Sequence, residues 1–114
     1  MYHSTDDSKT KRVDAVRDRA QVCMRCGLWE SRTNAVVGSG SLDTRIVLVG
    51  EAPGRTEDER GLPFVGRAGK VLDELLGKAG LSRDDLFIMN LVKCRPPNNR
   101  RPKKAEIGSC EPYL

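Results

Sequence analysis

Two apolar runs fix the architecture open to this chain: RIVLVG at residues 45–50 and LFIMNLVKC at residues 86–94. The first is a β-branched run stopped by glycine, the pattern of a strand buried on both faces. The second reads as another buried strand. Between them Val71, Leu72, Leu75, Leu76 and Ala79 recur at helical spacing, and Gly80 stands where a glycine closes a helix. Strand, loop, helix, strand predicts a right-handed βαβ unit, and with it a parallel sheet in an α/β domain.

At 114 residues the chain holds one domain. It is long enough to bury roughly 65% of its unfolded surface, so a core is possible without staples. Residues 1–10 are polar and of mixed charge, which predicts a disordered lead before a domain at 11–114. Val13, Val16, Ala20 and Val22 predict a short amphipathic helix over 11–22, and AVVGSG (35–40) a brief extended piece. PKKAEIGSCEPYL (102–114) begins like a helix with Pro102 in its first turn. Two good strands make a thin sheet, and Tyr113-Leu114 falls inside an element, so the domain is expected to lack its C-terminal part. The N-terminus does not read as a signal peptide, and no apolar run approaches the ~20 residues that span a bilayer. A cytoplasmic protein without a membrane partner is expected.

In that compartment thiols stay reduced, so four cysteines point to a metal or cluster before disulfides. Cys23 and Cys26 form a C-x2-C pair, 67 residues separate Cys26 from Cys94, and 15 separate Cys94 from Cys110. Four thiolates from two distant segments suffice for zinc or for a [4Fe–4S] cluster. Zinc ribbons usually carry two C-x2-C knuckles and this chain has one, so the spacing fits a cluster somewhat better. Cys94, at the end of an apolar strand, also reads as a small buried hydrophobe.

Ligands of open parallel sheets bind at the carboxyl ends of the strands. GEAPG (50–54) follows RIVLV at such an end, and Asn90 lies toward the end of the second strand. Glycines there let the backbone approach a ligand and aim N–H groups at it. The loop lacks GxxxxGK[ST] and no helix follows at once, so it is not a phosphate-binding P-loop. Phe64, in PFVG, is either a ring to stack on a planar ligand or a plug in the core. The acidic run Glu57-Asp58-Glu59 reads as a solvated loop face. Arg95, Arg100, Arg101, Lys103 and Lys104 crowd the proline-rich stretch between the last two cysteines. With a net charge of +4 and a pI near 9.0 they are compatible with a polyanion partner, or with a merely solvated charge run.

These pieces in this order resemble family 4 uracil-DNA glycosylase, the iron–sulfur type. The resemblance rests on CMRC, GEAPGRTEDERGLPFVGRAGKVLDELL, NLVKCRPPNNRRP and CEPYL, and covers nearly everything from Cys23 to Leu114. It implies a three-layer α/β/α sandwich and a [4Fe–4S] cluster on Cys23, Cys26, Cys94 and Cys110, with zinc the alternative. It implies base excision repair on uracil-containing DNA by a monomeric hydrolase that releases uracil from a flipped-out nucleotide. Carried over by position, Gly50, Glu51, Ala52 and Gly54 form the loop beside uracil and its sugar. Phe64 stacks on the base, and Asn90 reads its edge. Related glycosylases with a GQDPY-type loop have an aspartate where Ala52 stands, so Glu51 is the candidate for positioning water or the sugar. The basic residues from Arg95 to Lys104 would meet DNA phosphates. Family members continue past the fourth cysteine to a His-Pro loop whose histidine contacts uracil. His3, the single histidine here, lies in the lead and does not replace it, so weak or no activity is expected of this chain alone. The rivals are a non-catalytic iron–sulfur or zinc DNA-binding fragment, and a small-ligand α/β domain using GEAPG for phosphate.

Overall fold

The computed structural model describes residues 2–114. Four strands form one sheet in the order β1-β2-β4-β3: β1 (Tyr2–His3), β2 (Ser39–Ser41), β3 (Val47–Gly50) and β4 (Phe87–Asn90). β3 and β4 pair in parallel, Leu48 opposite Ile88 and Gly50 opposite Asn90. Both strands therefore end side by side, at the edge where open α/β sheets bind ligands. A short helix α2 (Arg55–Arg60), which follows GEAPG at once where the sequence predicts none, and then α3 (Arg67–Lys78) make the crossover between them. Gly80 at φ +74° closes α3, and Leu81 N–H donates back to the Leu76 carbonyl at 2.9 Å.

The sheet is not wholly parallel: β2 runs antiparallel to β4. Only residues 42–46 separate β2 from β3, and a parallel return needs a crossover of about a dozen residues. Alternate strand residues face opposite sides, and each side has its helix. On one side Leu76, Leu86 and Ile88 are buried, with Leu48, Phe64, Leu72 and Leu81 packed on them. On the other, Val13 and Val16 of α1 (Asp7–Gln21) share an apolar gap with Phe87 and Met89. The three-layer α/β/α arrangement expected from the resemblance is present.

Two expectations are corrected. RIVLVG is not buried on both faces: Val47 and Val49 are each 49% exposed. β3 is the outer strand, and α1 faces β4 beside it, so only the Leu48 side of β3 is covered. The lead is not disordered over the described residues either, Met1 lying outside them. Tyr2 and His3 pair in parallel with Gly40 and Ser41. Asp6 caps α1, accepting from Ser8 N–H at 2.9 Å. Asp43 accepts from Ser4, from the Thr5 N–H and from Lys9. The polarity of that stretch is the polarity of a cap and its partners. A smaller difference lies at the other end, where α4 (Lys104–Cys110) starts beyond Lys103, its N-cap, so Pro102 precedes the helix. Among the described residues no helix is long and apolar enough to cross a membrane.

Candidate functional site

The carboxyl ends of β3 and β4 open onto a cleft of about 320 Å³. Its walls include Glu51, Ala52 and Gly54 on one side, Phe64 and Ala68 on another, and Asn90 with Asn99 and Arg100 opposite. Five of the six residues expected to surround a ligand are thus brought to one cavity. The sixth, Gly50, lies beneath it. A Cβ there would stand 2.4 Å from Asn90 Oδ1 and 2.6 Å from Phe64 Cζ. Glycine at position 50 is what lets ring and amide meet over the strand end.

Asn90 is 2% exposed, yet its amide has no hydrogen-bond partner among the described residues. It therefore offers a donor and an acceptor to whatever fills the cleft. Phe64 packs on the Leu76–Ile88 cluster, as a plug in the core would, and it also lines the cleft. Its backbone sits at φ +52°, a left-handed conformation costly for a non-glycine residue. Glu51 is half-exposed at the mouth of the cleft. Its carboxylate accepts from the Arg101 guanidinium at 2.9 and 3.3 Å.

The acidic run is not a solvated face. Glu57 accepts from the N–H groups of Gly54 (3.0 Å), Val65 (2.9 Å) and Gly66 (2.7 Å), and so ties the 50–54 loop to the Phe64 loop. Asp58, 4% exposed, accepts from the N–H groups of Thr33 and Asn34 at 2.9 and 3.2 Å. Glu59 alone pairs at the surface, with Arg55. Carboxylates that follow a glycine turn satisfy orphan N–H groups, and a run of like charges in sequence conceals that role.

In the basic stretch the charges divide. Arg95 donates to Asn99 Oδ1 at 2.7 Å, inside a turn where Asn98 and Asn99 both have φ +57°. Arg100 grips Glu106 with two bonds of 2.8 Å. That grip, with a bond from Lys103 N–H, holds the Glu106 carboxyl down to about 2. Arg101, Lys103 and Lys104 are exposed.

The four cysteines line a second, apolar cavity with Ala20, Leu28 and Val92. Burial pushes the Cys94 thiol up to about 11, against the opposing pull of Arg32, and raises Cys110 as well. Both would be protonated as free thiols at neutral pH; ligation removes such protons. An all-sulfur donor set selects zinc or iron–sulfur over hard cations. N–H groups already aim at three of the sulfurs: Lys93 at Cys110 (3.2 Å), Arg25 at Cys23 (3.4 Å) and Arg32 at Cys94 (3.4 Å). Such bonds offset the negative charge of ligating thiolates. No group of three or more His, Cys, Asp or Glu among the described residues comes together as ligands of a single ion.

Between the two cavities lies Lys93, 1% exposed, whose ammonium donates to the carbonyls of Asn90 (2.9 Å) and Val37 (3.3 Å). Burial lowers its pKa to about 8. Lys93, Glu57, Asn99 and Arg83 were not found by sequence reasoning. Lys93 and Arg83 carry no local pattern, whereas a glutamate three residues after Gly54 stands at helix-start spacing, a signal that could have found Glu57.

The sequence model of the uracil DNA glycosylase superfamily matches residues 37–114. The chain is 54% identical to a type-4 uracil-DNA glycosylase of Thermotoga maritima over 102 residues, 90% of this chain and 53% of that protein. It is 53% identical to that of Saccharolobus solfataricus, covering 90% of this chain and 48% of the relative. Against that of Archaeoglobus fulgidus the figures are 52% identity, 89% and 50%. The chain spans about half the length of the curated relatives it matches.

Proposed function

The chain belongs to the uracil-DNA glycosylase superfamily, and within it we propose the type-4 activity: release of uracil from DNA by hydrolysis of the N-glycosidic bond. The observation that carries this reading is the meeting of Asn90, Phe64 and the 50–54 loop at one cleft. A flipped-out uracil stacks on Phe64, and the Asn90 amide pairs with O4 and N3–H. As the bond to the sugar breaks, the base leaves as an anion, which fixed N–H donors stabilise without reorganising. Gly54 N–H is already taken by Glu57 and Pro53 has none, which leaves the N–H groups of Glu51 and Ala52 for that role. Glu51 positions the attacking water, once its carboxylate is released from Arg101. Exposed Arg101, Lys103 and Lys104 meet DNA phosphates, while Arg95 and Arg100 brace the loop that presents them. The protein acts as a monomer in the cytoplasm, in base excision repair.

Cys23, Cys26, Cys94 and Cys110 hold a [4Fe–4S] cluster in this reading. Bound there, the cluster would tie the segment of Cys23 and Cys26 to that of Cys94 and Cys110. The single C-x2-C pair with two widely spaced later cysteines supports it over zinc. A brown anaerobic preparation with broad visible absorption is expected, and a colourless protein with stoichiometric zinc would remove the cluster.

The activity is tested on an end-labelled oligonucleotide carrying one deoxyuridine, treated with alkali after incubation with the protein. Strand breakage at uracil, with none at thymine in the same context, is expected of a protein spanning the relatives' full length, and weak or no breakage of this chain, which spans about half of it. DNA binding with no breakage would leave a non-catalytic iron–sulfur binding module as the better description.

A further inference from the structure

Arg83 precedes β4 on a short 3₁₀ turn, Arg83–Asp85, far in sequence from the cleft loops. Its guanidinium nevertheless gathers three carbonyls of the segment that carries Phe64. It donates to Pro63 at 3.2 Å, to Gly69 at 3.2 Å, and to Phe64 itself. Asp73 of α3 accepts from its Nε at 2.6 Å and so fixes the plane of the fork. The side chain is 28% exposed, so these bonds form largely out of water.

The segment needs such a restraint. Phe64 is held at φ +52°, where a bulky residue stays only when its surroundings impose it. Backbone also approaches the turn closely on that carbonyl side: a Cβ on Gly69 would stand 1.9 Å from the Phe64 carbonyl oxygen. Glu57 binds the N–H groups of Val65 and Gly66 just beyond. Arg83 therefore holds the carbonyl side and Glu57 the N–H side of one strained turn, with the ring between them over Gly50. Because Arg83 leads directly into β4, the same contact fixes the Phe64 turn to the strand that carries Asn90.

We propose that Arg83, oriented by Asp73, is the positioning residue that sets the Phe64 ring against the Asn90 amide and so determines how tightly the cleft takes a planar pyrimidine base. The proposal rests on the reading of the cleft as a uracil site. A lysine cannot replace the arginine fully, since it is a point charge without the planar fork that reaches several carbonyls at once.

The test uses the protein labelled with 4-fluorophenylalanine, which reports on Phe64 and Phe87 alone, with Phe87→Leu assigning the two ¹⁹F signals. Free uracil is the probe, its affinity measured for wild type, Arg83→Gln, Phe64→Ala and the double variant. The expected result is a broadened or shifted Phe64 signal in Arg83→Gln with Phe87 unmoved. Uracil affinity should fall about tenfold, the scale of coupling between residues that touch, and the double variant should lose little beyond Phe64→Ala. Arg83→Lys should restore part of the loss, and it carries the test if Arg83→Gln does not fold. An unmoved Phe64 signal, or additive losses in the double variant, would overturn the role of Arg83. Unchanged affinity in Phe64→Ala would instead overturn the base-stacking reading on which it rests.

Discussion

Gly50→Ala separates the architecture of the cleft from the stability of the fold. The added methyl would lie 2.4 Å from Asn90 Oδ1, and 2.6 and 2.9 Å from Phe64 Cζ and Cε2. Ordinary contact needs about 3.4 Å, so amide and ring must each retreat by about 1 Å. Both atoms are the ends of side chains, which can swing without moving the strands. Position 50 has no positive φ, so alanine brings no backbone strain. The stability cost therefore falls at the low end for overpacking, about 1 kcal/mol. That is a fall in Tm of about 4 °C for a domain of this size. The functional cost is of another order, since a 1 Å misplacement at a reacting centre is worth about 100-fold. Single-turnover cleavage of a deoxyuridine oligonucleotide, beside a thermal melt of the same sample, measures both. A variant that cleaves at the wild-type rate would refute the close approach of Asn90 and Phe64 over Gly50. A variant that loses activity only because it is unfolded at the assay temperature would refute the claim that the damage is confined to the cleft.

Asn90→Ala should weaken uracil recognition by about 1–3 kcal/mol, the cost of leaving a buried partner unpaired; unchanged cleavage kinetics would take Asn90 out of the site. Glu106 should give the fold an acid limb. Its folded pKa of about 2 lies below the ordinary 4.5, so its contribution is complete above about pH 4.5 and is lost as pH falls toward 2. The full shift corresponds to about 3 kcal/mol, and screening at the partly exposed Arg100 leaves about half. Urea melts of wild type and Glu106→Gln between pH 6 and 3 should converge at the acid end, and parallel curves would deny the effect. Arg101→Gln should reduce the slope of log affinity for DNA against log salt by about 0.9 for each phosphate that Arg101 neutralises, whereas Arg100→Gln should appear mainly as reduced stability. Equal slopes for Arg101→Gln and wild type would show that Arg101 does not touch the backbone.

The βαβ unit was legible because apolar periodicity reports burial directly. The meeting of Gly50 and Asn90 at paired strand ends followed from topology alone. What sequence misread were side chains whose task is to satisfy backbone. Glu57 and Asp58 look like surface charge, and Asp6 looks like the polarity of a loose tail, yet each accepts from N–H groups. The exposure of Val47 and Val49 was not legible either, because a β-branched run gives no sign of which side a helix covers. Arg83 and Lys93 act on carbonyls distant in sequence, and nothing in their neighbourhood announces it.

The four sulfurs around one cavity have a meaning in the language of polymer cross-links. Cys23 and Cys94 are 71 positions apart, so any group that binds both closes a loop of that length in the unfolded chain as well as in the folded one. By the chain-entropy relation, such a closure withdraws about 4 kcal/mol from the unfolded ensemble. This is a large share of what holds any small domain together. Loading the cysteines would accordingly set how much of the protein persists, quite apart from what the cleft does.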